Sequence, residues 1–206
     1  MPDPKRRWVE ERNRDFYHRR AMELGYRSRA TFKLMEMDKR FRLLRNGMRV
    51  LELGSSPGGW TQYASERVGR EGLVVAVDEE NLKPLGLSQV RFIRADVMDR
   101  SLESSVAAVL EPATVDLVLS DLAPDMTGRY ELDHERQMAL ARRAVEISRA
   151  FLRKKGNLVV KIFEGRLSPE LVRSVRPFFS KTRKFRAAAS RKRSTESYLL
   201  CLGLKG

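Results

Sequence analysis

Residues 156–165, GNLVVKIFEG, place a lysine inside an apolar run. Leu158, Val159, Val160, Ile162 and Phe163 read as a buried strand, with Lys161 in its middle. A lysine is rarely buried unless it is paired, because taking its charge out of water is costly. Two carboxylates are candidates to pair it. Asp121 lies in SDLAPDMTG, at the carboxyl end of the apolar run VDLVLSD, and Glu196 lies in STESYLL, at the start of the last predicted strand. If the strands are neighbours, Asp121 and Lys161 face one cleft, and both Asp121 and Glu196 can pair the lysine. A lysine so placed can act as a general base when neutral, or orient and stabilise a developing oxyanion when charged.

A second group of residues suits a nucleoside. VLELGSSPGGW, residues 50–60, is a strand running into a glycine-rich turn. Ligands of open α/β sheets bind outside the carboxyl ends of such strands, and glycines let the backbone approach them. The turn matches neither the G-x-G-x-x-G pattern of dinucleotide sites nor the P-loop pattern. The next strand, GLVVAVD, ends at Asp78, placed to bond both ribose hydroxyls. The third, VRFIRADV, ends at Asp96, where a carboxylate can accept from an adenine amino group. An adenosine cofactor without a pyrophosphate meets this description. S-adenosylmethionine is one, and its cationic sulfur suits acidic walls.

The elements that position these groups alternate. Ser28 is a predicted N-cap for a helix to about Leu44, with Ala30, Leu34, Met37 and Phe41 inward, Lys33 beside them, and Asn46-Gly47 as the stop. MRVLELG is the first strand. Ser56-Pro57 is expected to open a helix ending near Gly69. GLVVAVD, VRFIRADV, a helix over about 101–110 and VDLVLSD follow. A helix from about Asp133 to Lys154 points Met138, Ala141, Val145, Ile147 and Phe151 inward. NLVVKIF, a helix over Pro169–Phe179, a basic stretch and the strand SYLLCLGL complete the chain. The alternation predicts an α/β fold with a mostly parallel, doubly wound sheet and helices on both faces. Residues 1–27 read as a basic N-terminal extension, dense in Lys5, Arg6, Arg7, Trp8, Arg12 and Arg14, and 28–206 as the catalytic domain.

Charge points to the partner. Forty-one Lys and Arg against 27 Asp and Glu give +14 over 206 residues, which favours a polyanion such as nucleic acid. Nine basic residues and no acidic one lie between Arg173 and Arg193, among them Lys181, Arg183, Lys184, Arg186, Arg191, Lys192 and Arg193. Such a run can contact phosphates, as can Arg27 and Arg29 ahead of Lys33. The single cysteine, Cys201, excludes an intramolecular disulfide. Two distant histidines, His18 and His134, make no histidine metal site. No run of about 18 apolar residues suggests a membrane span, and no apolar signal-peptide core opens the chain. The expected location is the cytoplasm.

YRSRATFKL, LELGSSPGGW, VVAVD, RAD, SDLAPDMTG, VVKIFEG and STESYLL occur in this order from about Tyr26 to Leu202. Together they resemble the FtsJ/RrmJ-type RNA 2′-O-ribose methyltransferases. The resemblance implies a catalytic tetrad of Lys33, Asp121, Lys161 and Glu196, and S-adenosylmethionine contacts at Gly58, Trp60, Asp78, Asp96 and Asp121. Asp125 departs from it, standing where many relatives have asparagine. The implied chemistry is attack of a ribose 2′-hydroxyl on the cofactor's methyl group, with Lys161 as base. The compact chain looks most like the members that methylate a uridine of large-subunit ribosomal RNA within the ribosomal subunit, here as a monomer. A tRNA anticodon-loop enzyme and a catalytically idle ribosome-assembly factor remain alternatives.

Overall fold

The computed structural model describes residues 16–191 and 194–206. The expectations that rest on Lys5 to Arg14, and on Lys192 and Arg193, fall outside this range. Helical residues 16–23 (α1) lead to α2 (Thr31–Phe41), β1 (Arg49–Leu53), α3 (Gly59–Val68), β2 (Leu73–Asp78) and β3 (Val90–Arg94). Then come α4 (Leu102–Val109), β4 (Val115–Ser120), α5 (Tyr130–Phe151), β5 (Leu152–Phe163), α6 (Ser168–Val175), β6 (Phe179–Phe185) and β7 (Glu196–Leu204).

The strands form one seven-stranded sheet in the order β3-β2-β1-β4-β5-β7-β6. The first five in that order are parallel, while β7 runs antiparallel to both β5 and β6. LVVAV and LVV are unbroken apolar runs because parallel strands bury both faces. One face packs Val50, Val74, Leu117, Leu119, Val159 and Leu200 against Leu34 and Met37 of α2 and Trp60 and Ala64 of α3. The other packs Leu51, Val75, Val118, Leu158 and Leu199 against α4, α5 and α6. All five inward residues expected of α5 are buried. Strand order reverses between β1 and β4, where doubly wound sheets open a crevice. Among the described residues, no helix is long and apolar enough to cross a membrane.

Several boundaries differ from the sequence reading. α2 starts at Thr31, not Ser28, whose hydroxyl accepts instead from the Ala30 N–H at 3.0 Å. It stops at Phe41 rather than Leu44, because Arg42 turns left-handed (φ 54°) and the Leu44 N–H goes to the Asp38 carboxylate at 2.8 Å. Ser56 and Pro57 stay in the turn, and α3 begins two residues later, at Gly59. β3 ends at Arg94, short of Asp96. α5 begins earlier, at Tyr130, and gives way at Phe151, since Leu152 already pairs with Val115. α6 ends at Val175 in a short 3-10 turn, as Pro177 has no N–H with which to continue it. Within the basic stretch lies an unforeseen edge strand, β6.

Asp38 clasps the layer that carries Lys33. Besides Leu44, its carboxylate accepts from Tyr63 Oη at 2.8 Å and Arg67 Nε at 3.1 Å, both on α3. Asp38→Ala orphans three donors and is expected to cost about 2–3 kcal/mol, measured by urea unfolding at neutral pH.

Candidate active site

The sheet register brings the charged residues together. Lys161 stands directly opposite Tyr198 in the β5–β7 pair, so their side chains share a face. Glu196, two residues before Tyr198, projects to that face too. Val160 pairs with Ser120, which sets Asp121 beside Lys161. α2 crosses the same face and delivers Lys33 from its first turn.

Two buried ion pairs result. Lys161 Nζ lies 2.8 Å from Asp121 Oδ1 and donates to the Asp121 carbonyl oxygen, also at 2.8 Å. Lys33 Nζ lies 2.6 Å from Glu196 Oε1 and 2.8 Å from Oε2. Lys161 is 6% exposed and Lys33 8%. The pairing expected between Glu196 and Lys161 is therefore replaced: Glu196 takes Lys33, and Ser190 Oγ donates to its Oε1 at 2.8 Å. The reason is geometric, since Glu196 sits opposite Phe163, two residues beyond Lys161 and under α2.

Tyr198, which the sequence reading passed over, lies between the pairs. Its hydroxyl donates to Asp121 Oδ1 at 2.7 Å, and Lys33 Nζ is 5.9 Å from its ring centroid. Burial, with Asp121 and Glu196 close by, pushes the phenol well above its usual range, so it stays a donor. Burial pushes the Asp121 carboxyl up. Lys161, Lys33 and the hydrogen bonds from Lys161 and Tyr198 outweigh this and hold it below the usual range.

On the α5 side of the same sheet edge lies a cleft of about 580 Å³, lined by Gly54, Ser56, Asp78, Asp96, Met98, Asp121 and Pro124 among others. Six carboxylates border it (Asp78, Glu79, Glu80, Asp96, Asp121, Asp125) against one cation, Arg136. Asp78 is fixed by the N–H groups of Ser56 (2.8 Å) and Glu80 (2.9 Å), and Asp96 by that of Met98 (2.8 Å). Gly54 has φ +80° and would bring a Cβ within 3.0 Å of the Leu122 nitrogen, so only glycine fits. Asp78, Asp96 and Asp121 thus meet in the cleft, but Gly58 and Trp60 are not on its lining. Gly58 caps α3 with φ 109°, beneath Leu82 and Arg27. The Trp60 indole donates to the Ala30 carbonyl at 2.8 Å and packs 5.7 Å from the Tyr198 ring, behind the ion pairs.

The basic rim is partly committed to the fold. Arg27 donates its guanidinium to the carbonyls of Lys83 and Pro84, which occupies it with the β2–β3 connection rather than a phosphate. Lys184 pairs with Glu164 at 2.6 Å, and Arg186 donates to the Arg191 and Ser194 carbonyls. Lys181, Arg183 and Arg191 are exposed beside them.

The profile of the FtsJ-like methyltransferase family matches residues 26–204, and this chain belongs to that family. It is therefore a methyltransferase. It is 38% identical over 201 residues to the ribosomal RNA large subunit methyltransferase E of Methanothermobacter thermautotrophicus, covering 98% of this chain and 95% of that one. With the protein of the same name from Cenarchaeum symbiosum it shares 42% over 193 residues, 94% and 96% of the two chains. The fold matches a ribosomal RNA methyltransferase structure from Plasmodium falciparum with a TM-score of 0.79 at 24% identity, over 88% of this chain and all (100%) of the other.

Glu52 is a second residue that the sequence reading missed, although VLELG shows the same signal as Lys161: a charge inside an apolar strand. It is fully buried on β1. Thr61 is near enough to lower its pKa, yet both Glu52 oxygens and the Thr61 hydroxyl lack a partner of good hydrogen-bond geometry among the described residues. Burial, with Asp121 and Asp78 adding to it, pushes the carboxyl up to about 8. Because the folded form holds this proton above the unfolded pKa, stability is greatest at low pH and falls as pH rises toward 8. Wild-type stability should lose about 3 kcal/mol from this group between pH 5 and pH 8. Urea unfolding of Glu52→Gln at both pH values should lack that loss, leaving the variant the more stable protein at pH 8.

Proposed function

We propose that this methyltransferase transfers a methyl group from S-adenosylmethionine to the 2′-hydroxyl of a uridine in large-subunit ribosomal RNA, acting in the cytoplasm as a monomer on the ribosomal subunit. The observation that carries the chemistry is the placement of Lys161 and Asp121, ion-paired at 2.8 Å, at the edge of an acidic cleft. The names of the relatives support the substrate.

The residues fit the cofactor. Asp78, Asp96 and Asp121 line one cleft, which offers an adenosine several hydrogen-bond acceptors. The carboxylate lining favours a cationic occupant, and when bound S-adenosylmethionine supplies a methyl group on cationic sulfur. Asp78, its oxygens already oriented by two backbone N–H groups, would accept from the ribose hydroxyls, and Asp96 would accept from the adenine amine. Gly58 and Trp60 contribute by shaping the turn and the wall behind it.

A hydroxyl is a poor nucleophile while it keeps its proton. To act as the base, Lys161 first releases to solvent the ammonium proton that its ion pair with Asp121 holds, and the free amine then takes the proton of the 2′-hydroxyl. Asp121 and the Asp121 carbonyl fix the amine in place, and Tyr198 fixes the Asp121 carboxylate. Lys33, held by Glu196, adds a positive charge beside the oxygen as its own charge develops. Exposed cations such as Lys181 and Arg183 hold the phosphates, and their charge makes RNA binding depend on salt.

The test is methyl transfer to unmodified large subunits, free ribosomal RNA and tRNA, with nucleosides read by mass spectrometry. 2′-O-methyluridine on subunits supports the proposal, while methylation confined to tRNA overturns its substrate. Lys161→Met should lower transfer roughly 10²–10⁴-fold, with urea unfolding run beside it because the variant leaves the Asp121 carboxylate without its partner. Lys181→Glu with Arg183→Glu should weaken RNA binding and reduce the slope of log K against log salt by about 0.7 per lost single-strand contact. Cofactor titration of the same variant should match the wild type, and equal loss of both ligands would signal misfolding.

A further inference from the structure

Tyr130 opens α5 with 54% of its surface exposed. Large aromatic side chains contribute most when buried, yet this ring is held firmly in the open. Its hydroxyl donates to the Glu164 carbonyl at 2.8 Å. Its plane lies 3° from that of the His134 imidazole, with centroids 6.0 Å apart. His134 is itself buried, its Nε2 accepting from the Leu167 N–H at 3.1 Å. Gly165 closes the support from below: a Cβ there would stand 2.8 Å from the Tyr130 hydroxyl and 2.7 Å from His134 Cε1. The ring is ordered before any partner arrives, so a partner bears little of the entropic cost of fixing it.

Its place connects it to the ion pairs. Glu164 follows Lys161 by three residues, about 10 Å along an extended chain. The Glu164 N–H bonds to the carbonyl of Thr195, the residue before Glu196, at 2.8 Å. Tyr130 therefore stands on the rim of the site, beside the reacting group rather than at it. Arg129 and Arg166, both exposed, flank it in sequence and space. Arg166 keeps 82% of its side chain exposed and reaches Glu135 only at 3.9 Å, which leaves its charge available to a phosphate.

We infer that the open face of Tyr130 is a stacking platform for an unpaired base neighbouring the nucleotide whose ribose enters the site. This rests on the RNA reading above and adds that the substrate strand is unpaired at this point. Bases within a duplex hide their faces in the stack, whereas single-stranded bases offer them to aromatic side chains of any sequence context.

The test uses RNA hairpins with a uridine-containing loop, carrying 2-aminopurine at each loop position in turn, with hairpins lacking the loop as duplex controls. Wild-type binding should quench the fluorophore at one position. Tyr130→Ala should abolish that quench and raise Kd roughly 5- to 150-fold, with cofactor affinity unchanged, a cooperative urea transition retained and duplex binding unaffected. Tyr130→Phe and Tyr130→Trp keep the face and should stay within about threefold of wild type. Equal RNA affinity for wild type and Tyr130→Ala overturns the platform and leaves the RNA reading standing. So does a loss shared equally by Phe and Ala, which would assign the effect to the hydroxyl, or a loss without a position-specific quench. Failure of the wild type to bind any RNA overturns both.

Discussion

Two ammonium groups withdrawn from water in one pocket are the constraint on which the rest depends. Lys161 and Lys33 are each tolerable only against a carboxylate, and the four charges come from β5, α2, the end of β4 and the start of β7. Deleting any one partner would leave its opposite uncompensated, which in buried pairs costs far more than the pair itself contributes. The fold has to bring four elements to one point to within a few tenths of an ångström. That requirement explains the attention given to α2, which Asp38 ties to α3 and whose abrupt left-handed end at Arg42 folds Leu43 and Leu44 back into the core.

The charge distribution is segregated around this point. The chain is +14 overall, yet its cleft is bordered by carboxylates. A cation is drawn to the cleft and a polyanion to the rim, so each ligand is repelled from the place of the other. Asp121 belongs to both regions, since it lines the cleft and pairs Lys161. It is the junction at which a methyl donor and an acceptor hydroxyl would meet. Glu52, one layer deeper on β1, avoids adding a further negative charge to this crowded edge by keeping its proton at neutral pH.

What the sequence disclosed depended on how local its signals are. Buried parallel strands announce themselves as apolar runs, and a lone charge inside one is conspicuous, so Lys161 and Asp121 were legible together with the strand end at Asp78, whereas Asp96 lies two residues beyond the end of β3. β6 was not, because FSKTRKF alternates apolar ends with exposed Lys and Arg, as an edge strand does to discourage further pairing. Partner choice was also beyond it. Which lysine Glu196 takes depends on the β5–β7 register and the tilt of α2, both long-range facts. Trp60 was assigned to the cofactor, but its indole turns back to Ala30 because α2 packs directly over α3.

The reversal of β7 is what lets one strand supply two of the functional groups. Every other strand reaching this edge arrives by its carboxyl end, so each offers a terminal residue such as Asp121 and then turns away. β7 runs the opposite way and enters the sheet at the same edge, so Glu196 and Tyr198 are its first residues and both lie on the α2 face, opposite Phe163 and Lys161. A slip of one residue would turn both to the other face and leave Lys33 without its carboxylate. The strand resists slipping because both of its faces are buried. Tyr198 and Leu200 pack on the α2 and α3 side and Leu199 and Cys201 on the α5 side, all fully excluded from solvent. At its far end the Gly203 N–H bonds to Asn157 Oδ1 at 2.9 Å, a second anchor for the register. The apolar interior of β7 thus does for the site what its polar residues cannot do alone: it fixes, to the residue, where the buried charges meet.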